Sequence, residues 1–184
     1  MTKFLKTNTL IVVALEDELP RILVKNWRVI YTGIGKVNAV IETSLAVEEK
    51  KPDFIINFGT AGSSRENIRG LHEVTHFKQR DIDLSPLGFD KGITPFDEMS
   101  DISLGRNGLS CGTGDNFVNG DEEVTADLYD MESYALAKFC LRKRINFYCF
   151  KYVSDHANET AAKDWRDSVS LGAEVFVKSV LMNG

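Results

Sequence analysis

The residues most able to do chemistry in this 184-residue chain are acids set beside apolar runs. Glu16, Asp17 and Glu18 follow the run that starts at Leu10 (LIVVALEDE), and Ser154 and Asp155 end INFYCFKYVSD. Glu132 lies in YDMESYALAKFC, where a helix would align it with Ala135, Leu136, Phe139 and Cys140, the neighbours three and four positions apart that share one face. An oily residue would pack better at the head of that stripe. The carboxylate there suits either the helix dipole at a first turn, with Asp130 as N-cap, or a task unrelated to packing. Asp155 reads equally as a strand-end turn residue and as a catalytic acid. Glu18 belongs to the run EDE, and such runs are usually solvated. TGIGK (32–36) lacks the third glycine of a dinucleotide fingerprint and the spacing of a P-loop, so it reads as a tight turn into a helix. GTAG (59–62) reads as a turn or an anion cradle, and Phe117 as core or as a stacking platform. His72, His76 and His156 form no metal pattern, and no serine sits in a G-x-S-x-G elbow.

These residues need elements to position them. LIVVALE predicts a strand buried on both faces, and EDELPRIL a short helix starting near Pro20. RVIYTGIG predicts a short strand into a glycine turn. KVNAVIETSLAVEEK predicts a helix with Val37, Val40, Ile41, Leu45 and Ala46 as its apolar residues. DFIINFGTAGS repeats the pattern of apolar run and small-residue loop, and LHEVTHF is a further strand. Residues 79–107 read as a loop with little regular structure. GLSCGTGDNFVNG is a strand and a polar loop, 131–143 a helix and INFYCFKYVSD a strand. AKDWRDSVSLGAEVFVKSVLM is a C-terminal helix with Trp165, Val169, Gly172, Ala173, Phe176, Val177 and Val180 along one side. Alternation of strands and helices predicts an α/β fold over residues 1–184, a three-layer domain whose mostly parallel, mixed central sheet is flanked by helices. Ligands in such sheets bind beyond the carboxyl ends of the strands. The acids near 18, the small residues 59–62, Asp115 to Val118 and Ser154–Asp155 therefore converge at one edge, with Glu132 opening the helix before the last strand.

Composition narrows the class. Hydrophobic residues are 43% and charged residues 27%, a globular balance at a length that suits one core. A net charge of -5 argues against a nucleic-acid partner. No stretch nears the roughly 20 apolar residues that span a bilayer. The N-terminal run is broken by acids and lacks a small-residue cleavage site, so it reads as a first strand and not as a signal peptide. Cys111, Cys140 and Cys149 form no CxxC, which suits a reducing cytoplasm and no structural metal.

ALEDE, GIGKVNA, INFGTAG, GDNFVNG, DMES and VSD occur in that order between about residues 10 and 180. Together they resemble the purine nucleosidase and phosphorylase superfamily, and most closely the 5'-methylthioadenosine/S-adenosylhomocysteine nucleosidases. DMES with the downstream SD is the most specific part. The resemblance implies hydrolysis of the N-glycosidic bond of an adenine nucleoside with a modified 5' position, without a cofactor or metal. It implies that Glu18 activates the water, that Met131 and Glu132 hold the ribose, and that Phe117 stacks on the purine while the Val118 backbone reads the base edge. Asp155 would protonate the leaving purine, Thr60, Ala61, Gly62 and Ile34 would line the site, and Trp165 would lie near the 5' substituent. It implies a homodimer in which a neighbour's loop covers the 5' end, here residues 85–96 with Leu87, Phe89 and Phe96.

The chemistry implied makes definite demands. Breaking a ribosyl C–N bond builds an oxocarbenium-like sugar and a purine anion, so one carboxyl group must arrive protonated and another ionised, as in glycosidases. Raising Asp155 from about 3.9 towards 7 takes about 4 kcal/mol of preference for its neutral form, and desolvation is a plausible source. A charged Glu132 would favour the developing positive sugar. Phosphorylases of the superfamily carry an arginine before the glycine-rich turn to bind phosphate; the matching residue is Asn57, which favours water as nucleophile. Arg80 would bind an anion or pair with Asp81 or Asp83. The alternatives are a phosphate-dependent phosphorylase and a non-catalytic nucleoside-binding protein; a futalosine-type hydrolase, acting on another base, is a variant of the first reading. The hairpin usual between the first acid and GIGK, and a helix usual before GDNF, are missing, which predicts a smaller sheet.

Overall fold

The computed structural model describes residues 4–63, 65, 67–118, 124–156 and 171–182, with backbone alone for 154–156. Its strands are β1 (Thr9–Val13), β2 (Arg28–Tyr31), β3 (Phe54–Ser63), β4 (Gly70–Gln79), β5 (Asp101–Ser103), β6 (Leu109–Thr113), β7 (Leu128–Asp130) and β8 (Asn146–His156). The helices are α1 (Lys36–Glu49), α2 (Ser133–Lys143) and α3 (Gly172–Phe176), the last running on as a π-type turn, Val177–Leu181.

Successive residues of a strand face opposite sides of its sheet, and here both sides are covered. Leu10, Val12 and Ile55 pack in one cluster with Ala39, Ala46 and Val47 of α1 and Leu136, Ala137 and Cys140 of α2. Ile11, Val13, Ile56 and Phe58 pack in another with Ala173, Phe176 and Val180, and the rings of Phe58 and Phe176 stack at 4.2 Å. Continuous apolar runs thus arise from burial on both faces, and the three layers follow.

β1 lies between β2 and β3, parallel to both. β3 then runs parallel to β8 along its whole length, and its last residues, Gly62 and Ser63, pair antiparallel with β7. β4 is antiparallel to β8 over Gly70–Val74 and parallel to β6 over Val74–Gln79, while β6 is parallel to β7. Strands β3, β8, β4, β6 and β7 therefore close into a ring. β1 and β2 extend it on one side, and β5 adds to β4. The sheet is mixed with parallel pairs predominating, as expected.

Several local expectations are corrected. Residues 128–130 are strand, and α2 begins at Ser133, two residues later than predicted. EDELPRIL forms only a 3-10 turn, Arg21–Val24. The stretch 79–107 contains β5 and a 3-10 turn, Ser85–Leu87. Helix α1 buries Ala39, Thr43, Ala46 and Val47 and leaves Val37, Ile41 and Leu45 exposed. The small side chains of the buried face let the helix lie close to the sheet, so the larger aliphatics turn outward. Trp165 and Val169 lie outside the described residues, whereas Gly172, Ala173, Phe176, Val177 and Val180 are buried as predicted.

Candidate active site

A cavity opens where the carboxyl ends of β1, β3 and β6 meet β7 and the start of α2; Glu18, Thr60, Phe117, Met131 and Glu132 are in its wall. Ile34, Gly62 and Val118 also line it, together with Arg80, Asn116 and Tyr129. Ala61, buried beside Thr60, is not in the wall.

Glu18 is not solvated. After β1 the chain turns through the Glu18 N–H to Leu15 C=O bond of 3.1 Å, which leaves Glu16 and Asp17 exposed and Glu18 only 5% exposed. Its Oε1 accepts hydrogen bonds from the Thr60 N–H and the Thr60 hydroxyl, both at 2.7 Å. Its Oε2 accepts the Leu15 N–H at 3.3 Å. Gly59 allows this approach: a Cβ there would lie 3.2 Å from Glu18 Oε1 and 3.4 Å from Lys151 Nζ.

Glu132 occupies the N-cap position of α2 and is 8% exposed. It stands before the apolar stripe and not within it, which resolves its apparent misplacement. Its Oε1 accepts the Gly35 N–H at 2.9 Å, an amide presented by a glycine at φ 99°. Burial pushes the Glu132 carboxyl up to about 8; Lys151 opposes this, Asp130 and Glu18 add to it, and the Gly35 N–H opposes it. The capping work falls to Asp130, at the end of β7, which accepts the Ser133 N–H at 2.9 Å and the Ser133 hydroxyl at 3.0 Å.

Lys151 was not among the residues singled out from the sequence. It is 1% exposed, and its Nζ lies 2.8 Å from Asp130 Oδ2. Burial opposes both charges. For Asp130, Lys151 and the hydrogen bonds from Thr113 and Ser133 prevail and hold its carboxyl below the usual range. For Lys151, the negative charge of Asp130 prevails over burial and raises it. The signal available was a lysine inside the apolar strand FYCFKYV, because a charge there must be paired. Thr113 completes the cluster, donating to Asp130 Oδ1 at 2.6 Å.

The expected pairing of Arg80 with a neighbouring aspartate is replaced by other contacts. Asp81 takes Lys36, with Nζ 2.5 Å from Oδ2. Arg80, 2% exposed, donates to Asn116 Oδ1 at 3.1 Å, to the Gly114 C=O at 3.4 Å and to the Asn116 C=O. Asn57 is not in the cavity wall: its Nδ2 donates to the Val12 C=O at 3.1 Å, and its Oδ1 accepts the Cys149 thiol at 3.4 Å.

A shift in the β3–β8 register at Ala61/Gly62 sets Asp155 opposite Gly62, a residue of the cavity wall. The Asp155 side chain and Trp165 lie outside the described residues. Two of the three predicted acids, Glu18 and Glu132, thus share one cavity with Met131, Phe117, Val118, Thr60, Gly62 and Ile34.

No family model matches the chain. Sequence relatives do. It is 30% identical to the 5'-methylthioadenosine/S-adenosylhomocysteine nucleosidase of Haemophilus ducreyi over 170 residues, covering 78% of this chain and 73% of that protein. It is 30% identical to the protein of the same name from Bacillus subtilis over 157 residues, covering 70% and 67%. Among solved structures, native futalosine hydrolase of Helicobacter pylori superimposes with a TM-score of 0.85 at 20% identity, over 96% of this chain and 97% of that one. The 5'-methylthioadenosine/S-adenosylhomocysteine nucleosidase of Colwellia psychrerythraea, solved with adenine, does so with a TM-score of 0.79 at 19% identity, over 94% and 92%. These structures share the fold.

Proposed function

Because the chain belongs to the 5'-methylthioadenosine/S-adenosylhomocysteine nucleosidase family, we propose that it hydrolyses the N-glycosidic bond of an adenine nucleoside with a modified 5' position. It is an N-ribosyl hydrolase on this reading, and the observation that carries it is the meeting of Glu18, Glu132, Met131 and Phe117 in one cavity.

Glu18 takes the proton of the attacking water. The two bonds donated by Thr60 fix its Oε1, so the base is oriented before the substrate arrives, and positioning of that kind lowers the barrier. Glu132 grips the ribose hydroxyls with Oε2, the oxygen not committed to Gly35. A carboxyl raised to about 8 is largely protonated at neutral pH in the empty site, and the fraction that has released its proton to solvent before the substrate binds carries the charge that stabilises the positive sugar of the transition state. Lys151, paired with Asp130, keeps that ionised form within reach. Phe117 stacks on the purine, Val118 reads its edge through the backbone, and Thr60, Gly62, Ile34 and Met131 line the site around base and sugar. Asp155 protonates the departing base, and Trp165 contacts the 5' substituent.

Water is the nucleophile. Asn57 is spent on the Val12 carbonyl and Cys149, so the position that would hold a phosphate-binding arginine offers no cation to a dianion. The protein acts as a homodimer in the cytoplasm. The apolar side chains of Ile34, in the cavity wall, and of Val37, Ile41 and Leu45, on α1, are all exposed, and Phe96 in the loop 85–96 is fully exposed. Such surfaces mark interaction sites. Among the described residues no helix is long and apolar enough to cross a membrane.

The test is incubation with methylthioadenosine in phosphate-free buffer, with products identified by mass. Free adenine and the 5-thio sugar are expected. Adenine released only when phosphate is supplied would overturn hydrolysis, and a nucleoside bound but never cleaved would overturn catalysis.

A further inference from the structure

Three chain segments outside the cavity wall are tied together by charge. Asp81, at the end of β4, lies with both carboxylate oxygens 2.5 Å from Lys36 Nζ, at the start of α1. Its Oδ2 also accepts the Asp115 N–H at 2.8 Å. Asp115, after β6, returns the contact: its Oδ1 accepts the Lys36 N–H at 2.9 Å, and its Oδ2 lies 3.6 Å from Lys36 Nζ. Helix α1 has no side-chain cap of its own at its N-cap, Gly35, so Asp115 supplies an acceptor for an otherwise orphan amide. The preceding amide, that of Gly35, goes to Glu132 Oε1 at 2.9 Å.

Two adjacent amides at one helix start therefore hold two carboxylates. One belongs to Glu132, in the sugar end of the proposed site. The other belongs to Asp115, which directly precedes Asn116, Phe117 and Val118 in the wall proposed for the base. Arg80 holds the same segment from its other side, through the carbonyls of Gly114 and Asn116. Residues 80 and 81 thus grip the main chain of 114–116 by its acceptors and by one donor, while Lys36 ties that grip to the turn that holds Glu132. None of Lys36, Asp81 and Asp115 is in the cavity wall.

We infer that Lys36, Asp81 and Asp115 are positioning residues that set the distance between the base-binding segment 116–118 and the ribose-binding Glu132. This rests on the reading of the cavity as an adenine nucleoside site. The geometry of Gly35 leaves little slack, since a Cβ there would come 3.2 Å from Asp115 Oδ1. Hydrogen bonds from Lys36 and Asp115, working against partial burial, hold the Asp81 carboxyl below its usual range, so the tie is charged at neutral pH.

The experiment uses the full chain with Asp115→Ala, Asp115→Asn, Asp81→Asn, Lys36→Met and Lys36→Arg. Adenine affinity is measured by calorimetry, kcat and KM with methylthioadenosine, and folding by thermal melting. Asp115→Ala, Asp81→Asn and Lys36→Met are each expected to weaken adenine binding about tenfold and to lower kcat/KM by about a hundredfold, with folding retained. Asp115→Asn, which keeps an acceptor for the Lys36 amide, and Lys36→Arg, which keeps the cation, should recover most of both. Combining Lys36→Met with Asp81→Asn should cost no more than either alone, because one tie is broken in each. Adenine affinity and kcat/KM within twofold of wild type in folded Asp115→Ala or Asp81→Asn would overturn the inference. Additive losses in the double variant would also overturn it. Wild type that binds adenine yet cleaves no nucleoside refutes the proposed activity alone, since the tie is still read through adenine affinity; wild type that binds no adenine refutes both.

Discussion

Glu132 is where chemistry and stability pull apart. An acid whose carboxyl is raised from 4.5 to about 8 by burial keeps its proton longer in the folded state than in the unfolded chain. Below about pH 4.5 both states hold the proton, and nothing is lost. Between about pH 4.5 and 8 the unfolded chain has released its proton and the folded state has not, so stability falls as pH rises, by a few kcal/mol in all. Glu132→Gln removes that loss. Its unfolding free energy in urea should exceed that of wild type at pH 8 by about 3–5 kcal/mol, and the advantage should vanish near pH 4. Turnover should fall by about a hundredfold or more, since a carboxamide brings no charge to the sugar cation. A Glu132→Gln variant with the wild-type pH–stability curve would refute the burial argument. Lys151 gives the converse case. Lys151→Met leaves Asp130 charged and buried without its cation, a defect worth about 3–5 kcal/mol, to be read from urea unfolding at pH 7. A loss below about 1 kcal/mol would show that Thr113 and Ser133 suffice for Asp130.

Elements decide how near these groups come to one another. Strand β3 passes Gly59 between Glu18 and Lys151, with 3.2 Å and 3.4 Å from a would-be Cβ to the two charged ends. Gly59→Ala must displace at least one of them. Activity is expected to fall by about tenfold to a hundredfold through the misplaced base, with stability changed by about 1–2 kcal/mol. The check is kcat/KM beside a urea melt, and unchanged kcat/KM would show that Glu18 has room to spare. Helix α1 carries a second consequence. It rests on the sheet by Ala39, Thr43, Ala46 and Val47 and turns Val37, Ile41 and Leu45 outward. If that stripe faces a second copy, Val37→Glu with Ile41→Glu should convert the dimer to monomer in sedimentation at micromolar concentration, because charges buried in an interface without partners cost several kcal/mol. A dimer that persists would place the interface elsewhere.

At the scale of the whole molecule, the ring of β3, β8, β4, β6 and β7 explains why one cavity collects residues from so many places. Closing the sheet brings the ends of β3, β6 and β7 together, so Thr60, Phe117 and Met131 meet although the chain separates them widely. The sequence alone determined the kinds and order of the longer elements, because the period of apolar residues is a local property, whereas the three-residue strands β5 and β7 are too short to show one. The strands LIVVA, FIINF and FYCF and the α2 helix were all legible in this way. The ordered motifs ALEDE, GIGK, GTAG, GDNF, DMES and VSD were legible too, and they identified Glu18 and Glu132 as candidates. Tertiary structure alone decided what those acids touch. The Glu18 carboxylate looked solvated in EDE until a turn carried it to Thr60. Lys151 looked like an interruption of a strand until β7 brought Asp130 to it, and of the apolar residues expected to seat α1 only Ala46 is buried, while Val37, Ile41 and Leu45 are exposed. Apolar periodicity reports that residues need cover, whereas the partner that covers or neutralises them comes from chain-distant segments, and only the closed sheet sets those distances.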